Sequence, residues 1–101
     1  MGGPRFGRLM IDGQFVASGV ARGSLVWSRG GVLLAVQELA TWQDAPRTRV
    51  IVFDTREKRR IAASPTRTGL STPVRFAGTE LIYRQWSERG GEQILSLHVL
   101  K

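Results

Sequence analysis

The stretch VLLAVQELATW, Val32 to Trp42, decides the fold. With a period of 3.6 residues, Val32, Leu33, Val36, Leu39 and Ala40 form one helical stripe, and the segment is made of good helix formers. With a period of two, Val32, Leu34 and Val36 share one face of a strand. The residues in front of it arbitrate. Gly30-Gly31 is a hairpin signal and offers no side-chain oxygen to cap a helix N-terminus. The strand reading is therefore preferred, and a short helix over residues 32–42 stands as the alternative.

On both sides of this segment, short apolar runs recur between Gly, Pro, Asp and Ser clusters, which is the spacing of an all-β chain. RLMI and QFVAS flank Asp12-Gly13, a hairpin turn. Val50 to Phe53, within RTRVIVFDT, is an unbroken run of β-forming residues, and REKRRIAAS is placed to pair back on it. TPVRFAG and TELIYRQW flank Gly78-Thr79, and EQILSLHVLK closes the sequence. The expectation is an antiparallel meander of about eight or nine short strands in two open sheets.

A repeat underlies this pattern. Setting SLVWSRGGVLLAVQELATW over TPVRFAGTELIYRQW aligns Val26 with Val74, Trp27 with Arg75 or Phe76, Leu34 with Leu81 and Trp42 with Trp86. RTRVIVFD then falls over EQILSLHV, and the offset runs from about 44 to 49 residues. Each unit reads strand, Gly turn, strand ending in Trp, polar loop, strand. One domain over residues 1–101 is expected, with repeated units over 22–64 and 71–101.

LVWSRGGVLLAV resembles the strand-turn-strand of WD40-type and TolB-type β-propeller blades, and RVIVFDTREKRRIAAS is similar to the segment that follows it there. VRFAGTELIYRQW resembles the same opening a second time, so the likeness spans residues 23–100. It implies two blade-like sheets in an open, half-propeller-like arrangement, since closed propellers need about four blades or more. No Gly-His or Trp-Asp dipeptide accompanies it, and Arg29-Gly30-Gly31 stands where such blades carry a Pro-Asp-Gly type of turn.

The 101 residues are 42% apolar, enough for a modest core and too apolar for a disordered tail. The absence of cysteine excludes disulfides and thiolate chemistry. No apolar run is long enough for a transmembrane helix, and MGGPRFGRLMIDG lacks the apolar stretch of a signal peptide, so a cytoplasmic location and no membrane partner are expected.

The formal net charge is +7, and residues 47–75 carry most of it, with eight bases against Asp54 and Glu57. The last 26 residues hold three bases and three acids. Arginine outnumbers lysine 13 to 2, and guanidinium favours bidentate pairing with carboxylate or phosphate.

Little else carries chemistry. His98, the one histidine, falls on the opposite strand face from Leu95, Leu97 and Val99, as an ordinary strand histidine does. One His, no Cys and scattered acids give no ligand set with known metal spacing. The glycine-rich start GGPRFG has no Lys-Ser/Thr after it and is not a phosphate loop. Asp54, at the end of VIVFD, is read as a structural acceptor for turn N–H groups. No catalytic residue, metal or cofactor is expected, and the chain is read as not an enzyme.

The candidate partner-binding residues are Trp42, Arg47, Arg49, Arg56, Lys58, Arg59, Arg60 and Arg67. One reading is an edge strand kept apart from other sheets by charge. The other is a docking surface for an acidic protein partner, as in a cytoplasmic inhibitor such as a bacterial immunity protein that covers the active site of a cognate toxin. Nucleic-acid binding through the Arg-rich surface is the alternative, and open sheet edges also allow a homo-oligomer. Trp27, Trp42 and Trp86 are read as core, with Trp42 alternatively an exposed anchor.

Overall fold

The computed structural model describes residues 6–11, 14–21, 25–42 and 45–99. Its strands are β1 (Phe6–Ile11), β2 (Gln14–Ala21), β3 (Val26–Trp27), β4 (Leu33–Trp42), β5 (Pro46–Asp54), β6 (Arg59–Ala63), β7 (Arg67–Thr68), β8 (Leu70–Ala77), β9 (Glu80–Ser87) and β10 (Gly91–His98). They form a seven-stranded antiparallel sheet, β1-β2-β4-β5-β6 with β3 on β4 and β7 on β5, and a three-stranded one, β10-β9-β8. The fold is all-β and open, with no helix among the described residues. The strand count exceeds the expected eight or nine because β3 and β7 are two-residue pieces. The Asp12-Gly13 turn lies outside the described residues, although Ile11 pairs with Gln14 on either side of it.

The helical alternative for residues 32–42 is not formed: Leu33 to Trp42 is strand β4, in register with β5 from Leu33↔Asp54 to Trp42↔Pro46. Its ambiguity has a physical cause. Every residue from Leu33 to Glu38 is buried, as is every residue from Val50 to Asp54. A strand covered on both faces loses the apolar-polar alternation that marks a half-buried one.

Two cores result. Leu34, Val36, Ile51 and Phe53 pack with Leu9 and Val20 on one face of the larger sheet. Leu33, Ala35, Val50 and Val52 pack on the other face against Leu81, Tyr83 and Val99, which joins the two sheets. Each such fully buried aliphatic or aromatic side chain is worth about 1.5–3 kcal/mol relative to exposure.

The β4–β5 and β9–β10 ladders lie one behind the other in the two packed sheets. Thr55 N donates to Val32 O in the first and Val99 N donates to Thr79 O in the second, so the central ladders open with the same bond. Leu34↔Phe53 then corresponds to Leu81↔Leu97. That places Phe53 with Leu97, one residue from the alignment by sequence, which set it over His98. In an L-chain, the direction of a strand and the side on which it hydrogen-bonds together fix the face its side chain takes. Leu34 points away from the smaller sheet while its counterpart Leu81 points toward the larger one. The units are thus related as successive members of a stack, not as mirror-facing halves.

Candidate functional site

The basic segment does not fold into one patch. Strand β5 extends it, so that Arg47 and Asp54 stand seven residues apart along an extended backbone, about 23 Å. Arg47 lies at one end of the strand, and the hairpin bearing Arg56, Lys58 and Arg59 lies at the other.

The distal end is organised by acids. Asp54 Oδ1 accepts from Arg56 N at 2.9 Å and Glu57 N at 3.1 Å, the structural role read from the sequence. Lys58 N donates to Asp54 O at 2.7 Å, and Lys58 closes the turn in the left-handed region at φ 56°. Arg59 Nε meets Glu57 Oε1 at 2.6 Å, both side chains being exposed.

Arg49 and Arg60, both partly exposed, are engaged by one buried acid. Glu38 is buried, and its Oε1 takes Arg49 Nε at 2.7 Å while its Oε2 takes Arg60 Nη2 at 2.9 Å. Arg60 reaches Glu38 across Phe53, its guanidinium carbon lying 5.8 Å from the ring centroid. Two of the candidate residues therefore spend their charge on one carboxylate. Trp42 pairs with Pro46 through its backbone, and its side chain lies outside the described residues. Trp27 is 51% exposed and Trp86 44% exposed, so neither is a core residue as expected. They stand at the uncovered margins of the sheets, where alternation alone cannot tell a covered face from a bare one.

Arg47 and Arg67 are brought together. With Thr66 and Thr68 they line one wall of a groove of about 410 Å³, whose other wall is Gln85, Ser87, Gly90, Gly91 and Gln93. Neither guanidinium meets a carboxylate among the described residues. Among the described residues, every side chain lining the groove is polar.

Two features shape it. Gly69 carries the chain from β7 to β8 at φ 106°, and a Cβ there would stand 2.0 Å from the Trp86 carbonyl oxygen. Only glycine lets β7 lie this close to β9. Behind the groove, a buried polar chain ties the sheets. Thr48 Oγ1 donates to Gly69 O at 2.8 Å, Ser71 N donates to Gln37 Oε1 at 3.1 Å, and Ser71 Oγ meets Gln85 Oε1 at 2.6 Å. Gln85 Nε2 then donates to Thr68 O at 3.2 Å. That leaves the second amide hydrogen of a fixed glutamine for the groove. The arrangement sets polar donors and two positive charges around one groove, the chemistry that suits an anion.

Sequence reading missed Gln85, Gln93, Ser87 and the threonines. The available signal was their register: Gln85 and Gln93 are ladder partners at inward positions of strands otherwise lined inside by Leu81, Tyr83, Leu95 and Leu97. His98 is exposed on the outer face of the smaller sheet, opposite Glu80 in the ladder, the side read for it from the sequence. Among the described residues, no group of three or more His, Asp and Glu side chains is placed to hold a metal ion. Nor is any helix there long and apolar enough to cross a membrane.

No family model, curated protein or solved structure matches the chain. What the fold and the site define is a class: an open, two-sheet all-β module with a cationic groove, lined among the described residues by polar side chains and glycine, at one end of the seam between its sheets.

Proposed function

We propose that the chain is a small, non-enzymatic protein-binding module whose Arg47–Arg67 groove docks a carboxylate-bearing segment of an acidic protein partner. The observation that carries this reading is the contrast within the basic segment. Glu38 is shared by Arg49 and Arg60 and Glu57 pairs with Arg59, whereas Arg47 and Arg67 share a donor-rich groove with no carboxylate of the described residues against them. Guanidinium forks suit carboxylates, and pairing across such a rim gives orientation and fast association more than raw affinity.

A module of this kind is suited to covering an acidic active site, as an inhibitor of the immunity-protein type does in the cytoplasm. On the same reading, the two stacked meanders are blade-like units of an open, propeller-type arrangement.

The nucleic-acid alternative is less favoured because, among the described residues, no aromatic side chain lines the groove, and sequence-tolerant strand binding relies on stacking. The two separate by fluorescence anisotropy of the full chain against a labelled Asp/Glu-rich peptide and a labelled single-stranded oligonucleotide of equal charge. The proposal expects the peptide to bind more tightly. Tighter, steeply salt-dependent binding of the oligonucleotide would reverse the assignment.

A further inference from the structure

We propose that the outer face of the three-stranded sheet is a self-association surface on which a second copy of the chain docks about a two-fold axis. Leu70 and Trp86 are ladder partners on that face, with Ile82 and Ile94 beside them. Ile94 is 60% exposed, and no described element lies over it.

The repeat shows how such a face is used elsewhere in the same molecule. With Leu34 matched to Leu81 and Phe53 to Leu97, Ala35 corresponds to Ile82 and Val50 to Ile94. In the first unit these positions are fully buried under the next sheet. In the second unit they carry larger apolar side chains, Ile82 half-buried and Ile94 exposed, with no described element lying over Ile94.

Charge selects the occupant. The face carries Arg75 and Arg84 against Glu80 and Glu92, with Arg84 and Glu92 paired at 3.5 Å, in a chain whose formal charge is +7. An acidic protein or a polyanion gains no net attraction here. Two copies, by contrast, meet without the repulsion that their basic ends impose.

Packing selects the symmetry. Continuing the stack head to tail would require the Leu34 face of the next copy, and that face is already closed by Leu9, Val20 and the Arg60 guanidinium over Phe53. The bare face therefore meets its own equivalent, and an isologous contact closes at two copies. Three strands of eight residues span roughly 14 by 26 Å, well below the ~800 Å² per partner of a standard interface, so the dimer dissociates readily.

Sedimentation velocity on the full chain from about 10 μM to about 1 mM tests this, because a weak dimer is concentration-dependent. The expected result is a mass that rises from 11.2 kDa toward twice that value and no further, and that persists in high salt. Ile94→Lys and Trp86→Lys, both at exposed positions and checked by circular dichroism, should each hold the chain at the monomer mass. A wild-type chain that stays monomeric throughout, growth beyond two copies, or a dimer that survives both substitutions would overturn the proposal. Peptide docking in the groove is read in a separate assay and weakens with salt, so either result can fail alone.

Discussion

Replacing Gly69 with alanine perturbs the point where the groove is made. The added Cβ would sit 2.0 Å from Trp86 O, 3.0 Å from Trp86 C and 3.1 Å from Ser87 Cα, all of them backbone atoms that no rotamer change can move aside. An oxygen–carbon contact of about 3.2 Å requires β9 to retreat by about 1.2 Å. The φ of 106° adds a torsional cost of roughly 1–3 kcal/mol for a residue with a side chain. The Gly69 N to Pro46 O and Thr48 Oγ1 to Gly69 O bonds, both 2.8 Å, are strained by the same shift at about 1 kcal/mol each. The sum is about 3–5 kcal/mol, a large share of the ~5–15 kcal/mol that stabilises a domain of this size. At roughly 4–8 °C per kcal/mol, the midpoint of a thermal melt followed by circular dichroism should fall by about 12–40 °C. Gly30→Ala is the control: its φ is 91° but no atom lies within 4 Å of the new Cβ, so only the torsional cost applies. If Gly69→Ala melts within a few degrees of Gly30→Ala, the close approach of β7 to β9 is wrong.

Two further outcomes are expected of the intact chain. Glu38→Ala removes the shared carboxylate of Arg49 and Arg60, and because those side chains are 33% and 43% exposed and can rehydrate, the loss should be about 2–3 kcal/mol in urea unfolding, less than for a fully buried pair. A loss under about 0.5 kcal/mol would mean the two bridges are merely superficial. Lys58→Gly relieves a left-handed residue at φ 56° while adding freedom to the unfolded chain, for a net gain of about 0.5 kcal/mol and a melt about 2–4 °C higher; a lower melt would contradict the turn geometry.

Much of the sheet was legible in the sequence because its turns are. Gly30-Gly31 and Gly78-Thr79 do join the strands they were read to join, with Ala77 pairing Glu80 directly across the latter. Asp54 was legible for the same reason, since an aspartate closing a β-run ahead of a polar turn has backbone N–H groups within reach. What stayed hidden depends on which faces meet. LLAV at residues 33–36 admits a helical stripe beside the preferred strand reading because sheets or side chains cover both sides of it, and the exposure of Trp27 and Trp86 follows from where the stack ends. The eight candidate residues were close in sequence, yet an extended strand spreads what a helix would have gathered. The partnership of Arg47 with Gln85 and Gln93 is carried by Gly69 and crosses between sheets, so no local pattern announces it.

Charge reversal at matched sites tests the central claim most directly. Arg47→Glu with Arg67→Glu, and separately Arg56→Glu with Arg59→Glu, each lower the formal charge from +7 by four. Anisotropy against the same Asp/Glu-rich peptide should show the groove pair weakening binding at least tenfold, about 1.4 kcal/mol, with the turn pair within about threefold of wild type. Equal losses in the two variants, or a larger loss from the turn, would show that the peptide answers to overall charge and that the groove is not the docking site.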